Sequence, residues 1–319
     1  MSDRMMTPGK AYLDTAEIRP LAERSNRMGL WLLLHCWGTI GLSVTLFAWF
    51  PNVVTFLLAV VVIGSRQLGL AILMHEAAHN ALFKSRKWND LAGEWLCGRP
   101  ILAELSAYRH YHLTHHRFTQ TNKDPDLVLS SKFPTSRASL KRKFTRDLTG
   151  QTGVKQLGGQ ILMSLRFAGD KDAIQAAASD FAQSFKAPDL WKALPAFFGV
   201  MVLMGMVGDW WWGLAFWLLP YLTWFQFVLR VRNIAEHGAT EQSEDPLRNV
   251  RTTRAGPLAR LLVAPYWVNF HLEHHMIMHV PCWKLPRMHQ MLLDKGVGGQ
   301  MRIARNYRQA MAEAGWSRR

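Results

Sequence analysis

The sequence predicts an all-α membrane protein with four transmembrane helices in two hairpins and a helical cytosolic cap. Two observations support this fold class. Four apolar runs are long enough to cross a bilayer and occur in two pairs, and most of the lysine and arginine residues lie between the pairs or after them. We expect the chain 1–319 to form one domain of this kind.

The first predicted hairpin joins the apolar runs 28–50 and 53–74 through a short turn at Pro51. The first run has His35 as its only ionisable side chain and, at about 1.5 Å per residue, covers roughly 34 Å, which is enough to cross a bilayer. The second run carries one charge, Arg66, which we expect to reach the membrane interface or to pair inside the bundle.

The second predicted hairpin joins the runs 193–207 and 211–229 through a turn around Asp209. We expect Pro220 to kink its second helix, because proline cannot donate a backbone hydrogen bond. The alternative is that all four runs are buried helices of a soluble protein. Such helices seldom lack charges on every face, so the membrane interpretation is favoured.

The distribution of basic residues predicts the orientation. Lysine and arginine are frequent in 80–190 and in the last third of the chain, whereas the turns near Pro51 and Asp209 contain none. By the positive-inside rule, both termini and the segment between the hairpins face the cytoplasm. The cytosolic cap then comprises 75–190 and 230–319, and in a bacterium the chain would lie in the inner membrane.

Composition narrows the possible partners. The formal net charge of +15 would suit nucleic acid, an anionic lipid or an acidic protein, and the long apolar runs argue against nucleic acid. Fourteen tryptophans fit a membrane interface. Cys36, Cys97 and Cys282 are scattered and odd in number, so we expect packing residues rather than disulfides or a cysteine-based zinc site.

Nine of the thirteen histidines occur in tight clusters. Imidazole binds iron, zinc, copper and nickel near neutral pH, and nine ligands are too many for one ion but suitable for two. The sequence therefore predicts a histidine-rich dimetal site in the cap. The clustered residues are His75 and His79 in HEAAH, His112, His115 and His116 in HLTHH, His237 in NIAEH, and His271, His274 and His275 in HLEHH.

The predicted topology brings these clusters together. His75 and His79 directly follow the second span and, spaced by four, share a helix face; Asn233 and His237 do the same after the fourth span. The other two clusters lie in the cytosolic segments, where an HxxHH turn can supply ligands to two ions. The isolated histidines are expected to be capped or solvated: His35, His110, His279 and His289.

HEAAH also fits the HExxH pattern, in which two histidines bind zinc and the glutamate, here Glu76, acts as the general base of a metalloprotease. Next to a membrane helix this pattern would indicate an intramembrane protease. Such a site needs only one further ligand and leaves seven clustered histidines without a role, so this alternative is remote.

Taken together, the clusters resemble the histidine boxes of the integral-membrane fatty acid desaturase superfamily. HHRFTQTNKDPDL is similar to the TNxxxDPD segment of that family, HHMIMHVPCWKLPRMH to its HH…VP…LP…H run, and NIAEH to the Asn and His of acyl-CoA desaturases. The first box has three residues between its histidines, which is more similar to acyl-lipid desaturases. His271 stands where front-end desaturases have glutamine, and no cytochrome b5 domain is recognisable, so we expect electrons from a separate protein.

The resemblance implies two iron ions bound by the nine histidines, with Asn233 as a weak ligand through water. It also implies that nearby acids accept hydrogen bonds from imidazole N–H groups. The candidate acceptors are Glu76, Glu236, Glu273, Asp124 and Asp126. Zinc can occupy the same ligands, so a metal found in a preparation need not be the active one.

The resemblance further implies an enzyme that uses O2 and two external electrons to remove hydrogen from adjacent methylenes of a long alkyl chain. Hydroxylases, ketolases and epoxygenases have the same boxes, so oxygen insertion into a lipid, carotenoid or alkane remains the alternative. An acidic donor of the ferredoxin or cytochrome b5 type, with its reductase, would be attracted by the basic charge. Four arginines either hold a phosphate or carboxylate head group or face lipid: Arg109, Arg117, Arg230 and Arg232.

Overall fold

The structure is a computed structural model that describes residues 8–166 and 190–316. Residues 1–7, 167–189 and 317–319 lie outside the described residues. They include both chain ends and the last part of the predicted cap segment 75–190. The predicted cytoplasmic location of the termini therefore stays a prediction.

The described chain is helical, as the sequence predicts. Its α-helices are α1 (Thr15–Leu21), α2 (Asn26–Trp49), α3 (Val53–Ala78), α4 (Arg86–Ala92), α5 (Leu105–Phe118), α6 (Leu127–Ser130), α7 (Arg137–Leu148), α8 (Gln151–Arg166), α9 (Leu190–Val207), α10 (Leu214–His237), α11 (Pro257–Leu262), α12 (His271–Met276), α13 (Leu285–Asp294) and α14 (Tyr307–Met311). Tighter or wider helical turns occupy Pro8–Ala11, Gly93–Gly98, Arg99–Ile101, Pro265–Trp267, Cys282–Lys284, Val297–Gly299 and Ala312–Trp316.

Two strands of two residues each complete the secondary structure of the described residues. β1 (Thr252–Thr253) and β2 (Ile303–Ala304) pair in parallel, with Thr252 opposite Ile303. They join the segment between α10 and α11 to the segment before α14.

Four of the helices, α2, α3, α9 and α10, are long and apolar enough to cross a membrane. They form the two predicted pairs, which confirms the fold class. Large apolar side chains such as Trp31, Leu42 and Val202 are exposed on them, as expected for surfaces that contact lipid. The C-terminal half of α3 is buried throughout, so this helix lies at the centre of the bundle.

The turn of the first hairpin is fixed locally. The side chain of Asn52 accepts hydrogen bonds from the backbone N–H groups of Val54 and Thr55, at 2.9 and 3.2 Å, and so caps α3. At the other end, α3 continues past the predicted limit at 74 to Ala78.

The fourth span continues about two turns beyond its predicted end at 229. The arginines in these added turns pair within the protein, Arg230 with Asp147 and Arg232 with Glu236. The apolar run therefore ends at 229, whereas the helix continues to His237. Its start is irregular: Leu214–Leu218 is a π-turn and the backbone leaves helical geometry at Thr223. Pro220 precedes that break by three residues, consistent with the predicted kink.

α3 and α10 cross at close range. A Cβ atom on Gly64 would lie 3.0 Å from the Cβ of Trp224, so only glycine fits without displacement. The indole Nε1 of Trp224 donates to the hydroxyl of Ser65 at 2.9 Å. This crossing fixes the relative position of the two helices that carry His75 and His237.

Candidate metal centre

The nine clustered histidines meet in two groups near the C-terminal ends of the central helices α3 and α10. In each group one nitrogen from every histidine lies within 4.8 Å of the others. Eight of the nine residues are buried and His237 is half-buried. The five-histidine group consists of His75, His79, His112, His116 and His274; the four-histidine group consists of His115, His237, His271 and His275.

Each HxxHH cluster is divided between the groups. On α5, the i,i+4 pair His112 and His116 enters the five-histidine group, whereas His115 enters the other. On α12, His271 and His275 enter the four-histidine group, whereas His274 crosses to the first. Each cluster therefore supplies both groups, and the two sites share the helices α5 and α12.

The two groups lie side by side. The rings of His116 and His275, one from each group, stack with their centroids 4.1 Å apart. Several imidazole nitrogens are buried with no hydrogen-bond partner among the described residues, including both nitrogens of His75 and Nε2 of His79. Buried polar atoms are rarely left in this state, so the orphaned nitrogens fit a set of metal ligands.

Burial keeps most of these imidazoles neutral. It lowers the pKa of His79 to about 3 and places the pKa values of His112, His274 and His275 well below the usual range, with neighbouring histidines adding to the effect. A neutral imidazole presents the lone pair that a metal ion needs. The nitrogen donors therefore fit two metal ions without prior deprotonation.

His115 differs from its neighbours. Burial lowers its pKa, but the charge and hydrogen bond of Asp124 outweigh that effect and raise it. Oδ1 of Asp124 lies 2.8 Å from Nδ1 of His115, so Nε2 is the nitrogen of His115 that is left to bind a metal ion in the four-histidine group. Asp124 also accepts the backbone N–H groups of Gln120 and Asp126, each at 2.8 Å. The carboxylate of Asp124 thus fixes both the loop between α5 and α6 and the imidazole ring of His115.

The other predicted acids occupy different positions. Asp126 lies 3.6 Å from the same nitrogen of His115 and accepts the hydroxyl of Tyr111 at 2.6 Å. Glu76 lies 3.5 Å from Nδ1 of His75 and accepts the backbone N–H of Cys282 at 2.8 Å.

Oε1 of Glu236 accepts a hydrogen bond from Nε of Arg232 at 2.7 Å. The second oxygen, Oε2, lies 3.4 Å from Nε2 of His271. Asn233, the predicted weak ligand, is half-buried one helical turn before His237 on α10.

Glu273 binds a histidine outside the nine. Its carboxylate pairs with Nδ1 of His289 at 2.5 Å and accepts the hydroxyl of Thr252. The expectation that His289 is capped or solvated was wrong, because α13 packs it against this carboxylate. The signal for it was its place at the end of the HH…VP…LP…H run.

The four predicted head-group arginines lie at different places in the structure. Arg109 donates to the backbone carbonyls of Ala77 and Ala78, both at 2.9 Å, and pairs with Asp90 at 2.5 Å, so it caps the end of α3. Arg230 pairs with Asp147, and Arg232 pairs with Glu236. Arg117 is exposed at the rim of a cavity, with its guanidinium 5.3 Å from the ring centroid of Phe118.

This cavity has a volume of about 580 Å³ and reaches both histidine groups. His116 and His275 form part of its wall, and Arg117, Lys123 and Glu244 bring charge to it. A molecule in the cavity would therefore contact one histidine of each group.

Two adjacent, buried all-imidazole groups at the ends of membrane-spanning helices are typical of a membrane protein whose histidine boxes could hold two metal ions. The sequence comparisons agree with this class. A profile of the fatty acid desaturase family matches residues 47–304, which is most of the chain. The chain belongs to the fatty acid desaturase family.

Three relatives illustrate the range of the family. The chain is 28% identical over 236 residues to the dihydrorhizobitoxine desaturase of Bradyrhizobium elkanii, covering 72% of this chain and 65% of that protein. It is 23% identical over 236 residues to the sn-1 acyl-lipid omega-3 desaturase (ferredoxin) of Nostoc sp. (strain 36), covering 70% and 63%. It is 24% identical over 224 residues to the β-carotene ketolase of Paracoccus sp. (strain PC1), covering 69% and 73%. The matched region thus spans slightly less than two thirds of the first two relatives.

The metalloprotease alternative is not supported. His75 and His79 of HEAAH lie in one group with three further histidines, whereas a metalloprotease site needs only one further ligand. The family match also covers the whole of this region.

Proposed function

We propose that the protein is an O2-dependent desaturase that introduces a double bond into a long alkyl chain, with a fatty acyl chain as substrate and electrons from a separate donor. The observation that carries the proposal is the meeting of nine histidines in two adjacent groups within a desaturase-family chain. Two of the three relatives described above are named as desaturases. We place the whole chain in one domain.

We propose the nine histidines as ligands of two iron ions, with Asn233 acting through a water molecule. Iron at these positions would supply the activation of O2 that oxidation of an unactivated C–H bond requires. The chain contributes neutral, buried imidazoles and the carboxylate of Asp124, which orients His115. The amide of Asn233 is a weak ligand and would leave one position open for exchange.

The cavity at His116 and His275 supports a role in substrate binding. Its charged rim includes Arg117 and Lys123, which would hold a carboxylate or phosphate head group while the alkyl chain extends toward the metals. The internal ion pairs of Arg109, Arg230 and Arg232 favour structural roles for those residues.

We propose that an acidic donor protein of the ferredoxin or cytochrome b5 type, with its reductase, delivers the electrons. The basic net charge supports this, because complementary charge steers association. One relative is named as a ferredoxin desaturase.

A hydroxylase or ketolase is the second candidate, and the likeness to a β-carotene ketolase favours it. Desaturation and oxygen insertion differ in where the second C–H bond lies relative to the metals, and the histidine groups are compatible with both reactions.

Mass spectrometry of lipids from cells with and without the protein tests the proposal. Desaturation gives a product lighter than its substrate by two hydrogen atoms, whereas hydroxylation gives one heavier by an oxygen atom. The matched control is a His274→Ala variant, which removes one proposed ligand from α12. A new oxygenated lipid, with no new double bond, would replace the first candidate by the second.

A further inference from the structure

A second cavity lies among α2, α3, α11 and the helical turn Pro265–Trp267. Its volume is about 330 Å³, and none of its lining residues belongs to the cavity at His116 and His275. Its wall contains two arginines, Arg66 of α3 and Arg260 of α11. The described residues that line it include no aspartate or glutamate, so this cavity is positively charged.

The charge of Arg66 has no carboxylate to neutralise it among the described residues, in which the arginine–carboxylate pairs involve other arginines. Arg66 is only 2% exposed. Its Nη2 donates to the backbone carbonyl of Leu261, and its guanidinium lies 5.7 Å from the ring centroid of Tyr266. Both of these groups are uncharged, and Nε has no hydrogen-bond partner among the described residues. Buried charges are normally paired, so Arg66 leaves an uncompensated positive charge at the cavity wall.

Further polar groups converge on the same cavity. The hydroxyl of Tyr266 lies 3.2 Å from Nδ1 of His35, and both side chains line the cavity. Arg260 is exposed on α11 and brings a second guanidinium group. Arginine recognises phosphate through several N–H donors in a fixed geometry. Two guanidinium groups and a hydroxyl therefore form a donor set that suits a phosphate.

The turn that carries Tyr266 has an unusual backbone. Tyr266 and Trp267 have φ angles of 53° and 57°, in the left-handed region that residues other than glycine rarely adopt. The ring of Tyr266 packs closely on α3, because a Cβ atom on Gly69 would lie 3.0 Å from its Cε2. Strained conformations of this kind persist where the surroundings fix them, and they occur preferentially at ligand sites. The turn thus fixes the hydroxyl of Tyr266 at the cavity.

The surface around the cavity is apolar. Trp31, Leu258 and Leu261 are 59, 69 and 43% exposed, and the first and third of them line the cavity. Arg66 lies inside the apolar run of α3, which ends eight residues later at 74, or about 12 Å along the helix. An anion that reaches a site among lipid-facing side chains is expected to carry alkyl chains of its own. This position therefore favours a lipid over a water-soluble ion.

We propose that this cavity binds the phosphate group of a membrane phospholipid. Arg66 and Arg260 neutralise the phosphate and the hydroxyl of Tyr266 donates to it, while the acyl chains lie along exposed apolar side chains of α2 and α11. The phosphate supplies the counter-charge that the described residues do not give Arg66. The lipid is a resident component instead of the substrate, because the cavity at His116 and His275 is the one that reaches the histidine groups.

The test measures binding of dioleoylphosphatidylglycerol to full-length, delipidated protein in detergent by native mass spectrometry, with thermal unfolding as a second readout. The main variant is Arg66→Gln, which removes the charge and keeps a polar side chain. The matched control is Arg254→Gln. Arg254 precedes α11, is exposed and is not among the residues that line the cavity, so the control removes the same charge from outside the site.

We expect one tightly bound phosphatidylglycerol per chain. Arg66→Gln should weaken its binding by about tenfold or more, because a charge-assisted hydrogen bond to phosphate is lost. The lipid should raise the midpoint of thermal unfolding of the unmodified protein and of Arg254→Gln, but not that of Arg66→Gln. Unchanged lipid affinity in Arg66→Gln, or equal losses in Arg66→Gln and Arg254→Gln, overturns the inference.

A second variant covers the case in which Arg66→Gln does not fold. Arg260 is exposed, so Arg260→Gln should fold as the unmodified protein does. It should weaken binding of phosphatidylglycerol by about threefold or more, since it removes the second guanidinium group from the cavity. Lipid affinity that is the same in Arg260→Gln as in the unmodified protein contradicts the proposal.

Competition distinguishes the possible sources of the anion. Inorganic phosphate at the concentration of the lipid should not displace it, and dioleoylglycerol, which lacks the phosphate, should not bind. Displacement by inorganic phosphate would assign the cavity to a free anion, and equal binding of oleate would assign it to a carboxylate. Equal binding of dioleoylglycerol would reduce the site to an apolar lipid contact. Each of these three results overturns the assignment to a phospholipid.

This site is independent of the proposed reaction. Neither metal ions nor a lipid product enters the binding test, so a failed test leaves the proposed function standing. Conversely, protein that binds phosphatidylglycerol at Arg66 but forms no oxidised lipid contradicts the reaction alone.

Discussion

Replacing Asp124 with asparagine tests how the structure positions His115 in the four-histidine group. Asp124 bonds to Nδ1 of His115 at 2.8 Å, and both side chains are almost inaccessible to solvent, at 1% and 2%. Asparagine keeps the shape but loses the charge that strengthens this bond. Its NH2 group would also face the backbone N–H of either Gln120 or Asp126, where a donor meets a donor.

The size of the effect follows from that bond. A hydrogen bond to a charged group contributes about 1.5–3 kcal/mol, which corresponds to roughly 10–150-fold in a binding constant. Loss of a carboxylate that orients a ligand histidine costs about 10–100-fold in metal affinity. We therefore expect Asp124→Asn to weaken one of two iron equivalents by about 10–100-fold.

The assay is titration of metal-free protein in detergent with ferrous iron under anaerobic conditions. Asp126→Asn is the control, because its carboxylate lies 3.6 Å from the same nitrogen, too far for a hydrogen bond. It should change iron affinity by less than about threefold, which is less than 1 kcal/mol. Equal effects of the two variants, or none from Asp124→Asn, would refute this account of how His115 is positioned.

Three further predictions concern activity, stability and topology. His274→Ala should abolish the lipid product while the protein still inserts in membranes, and the unmodified enzyme should be inactive without O2; activity under strict anaerobiosis would rule out the desaturase. His289→Ala removes a hydrogen-bond partner of the buried carboxylate of Glu273 on α12, so its midpoint of thermal unfolding should fall, by an amount equivalent to about 1–3 kcal/mol; an unchanged midpoint would show that the pair is not stabilising. Single cysteines at Asn52 and Asp209, in an active variant without the native three, should react with an impermeant thiol reagent in intact cells, whereas one at Lys141 should not; opposite sides for the two turns would make a shared metal site impossible.

The membrane helices were predictable because their signal is local. Absence of charge over about 20 residues is visible in the sequence and is imposed by the bilayer. The helix ends were less predictable, since they depend on partners distant in the chain. α10 continues past 229 because Arg230 and Arg232 pair inside the protein, and sequence shows the charges but not the partners.

The histidine site was predictable as a set but not as an arrangement. The clusters and the hairpin topology indicate that nine histidines meet. Their division into groups depends on how α5 and α12 pack against α3 and α10, which determines that His115 and His274 cross to opposite groups. The Glu273–His289 pair was missed because the place of His289 at the end of the HH…VP…LP…H run does not identify its partner, which lies on another helix.

Iron analysis of the purified protein tests the two-metal claim most directly. Protein produced with iron and kept reduced should contain close to two iron ions per chain, because the two histidine groups are separate and similar in ligand number. Zinc at the same stoichiometry would support the ligand set but not its active metal. One metal ion per chain, with a peptidase activity that is lost in Glu76→Gln, would contradict the account and restore the metalloprotease alternative.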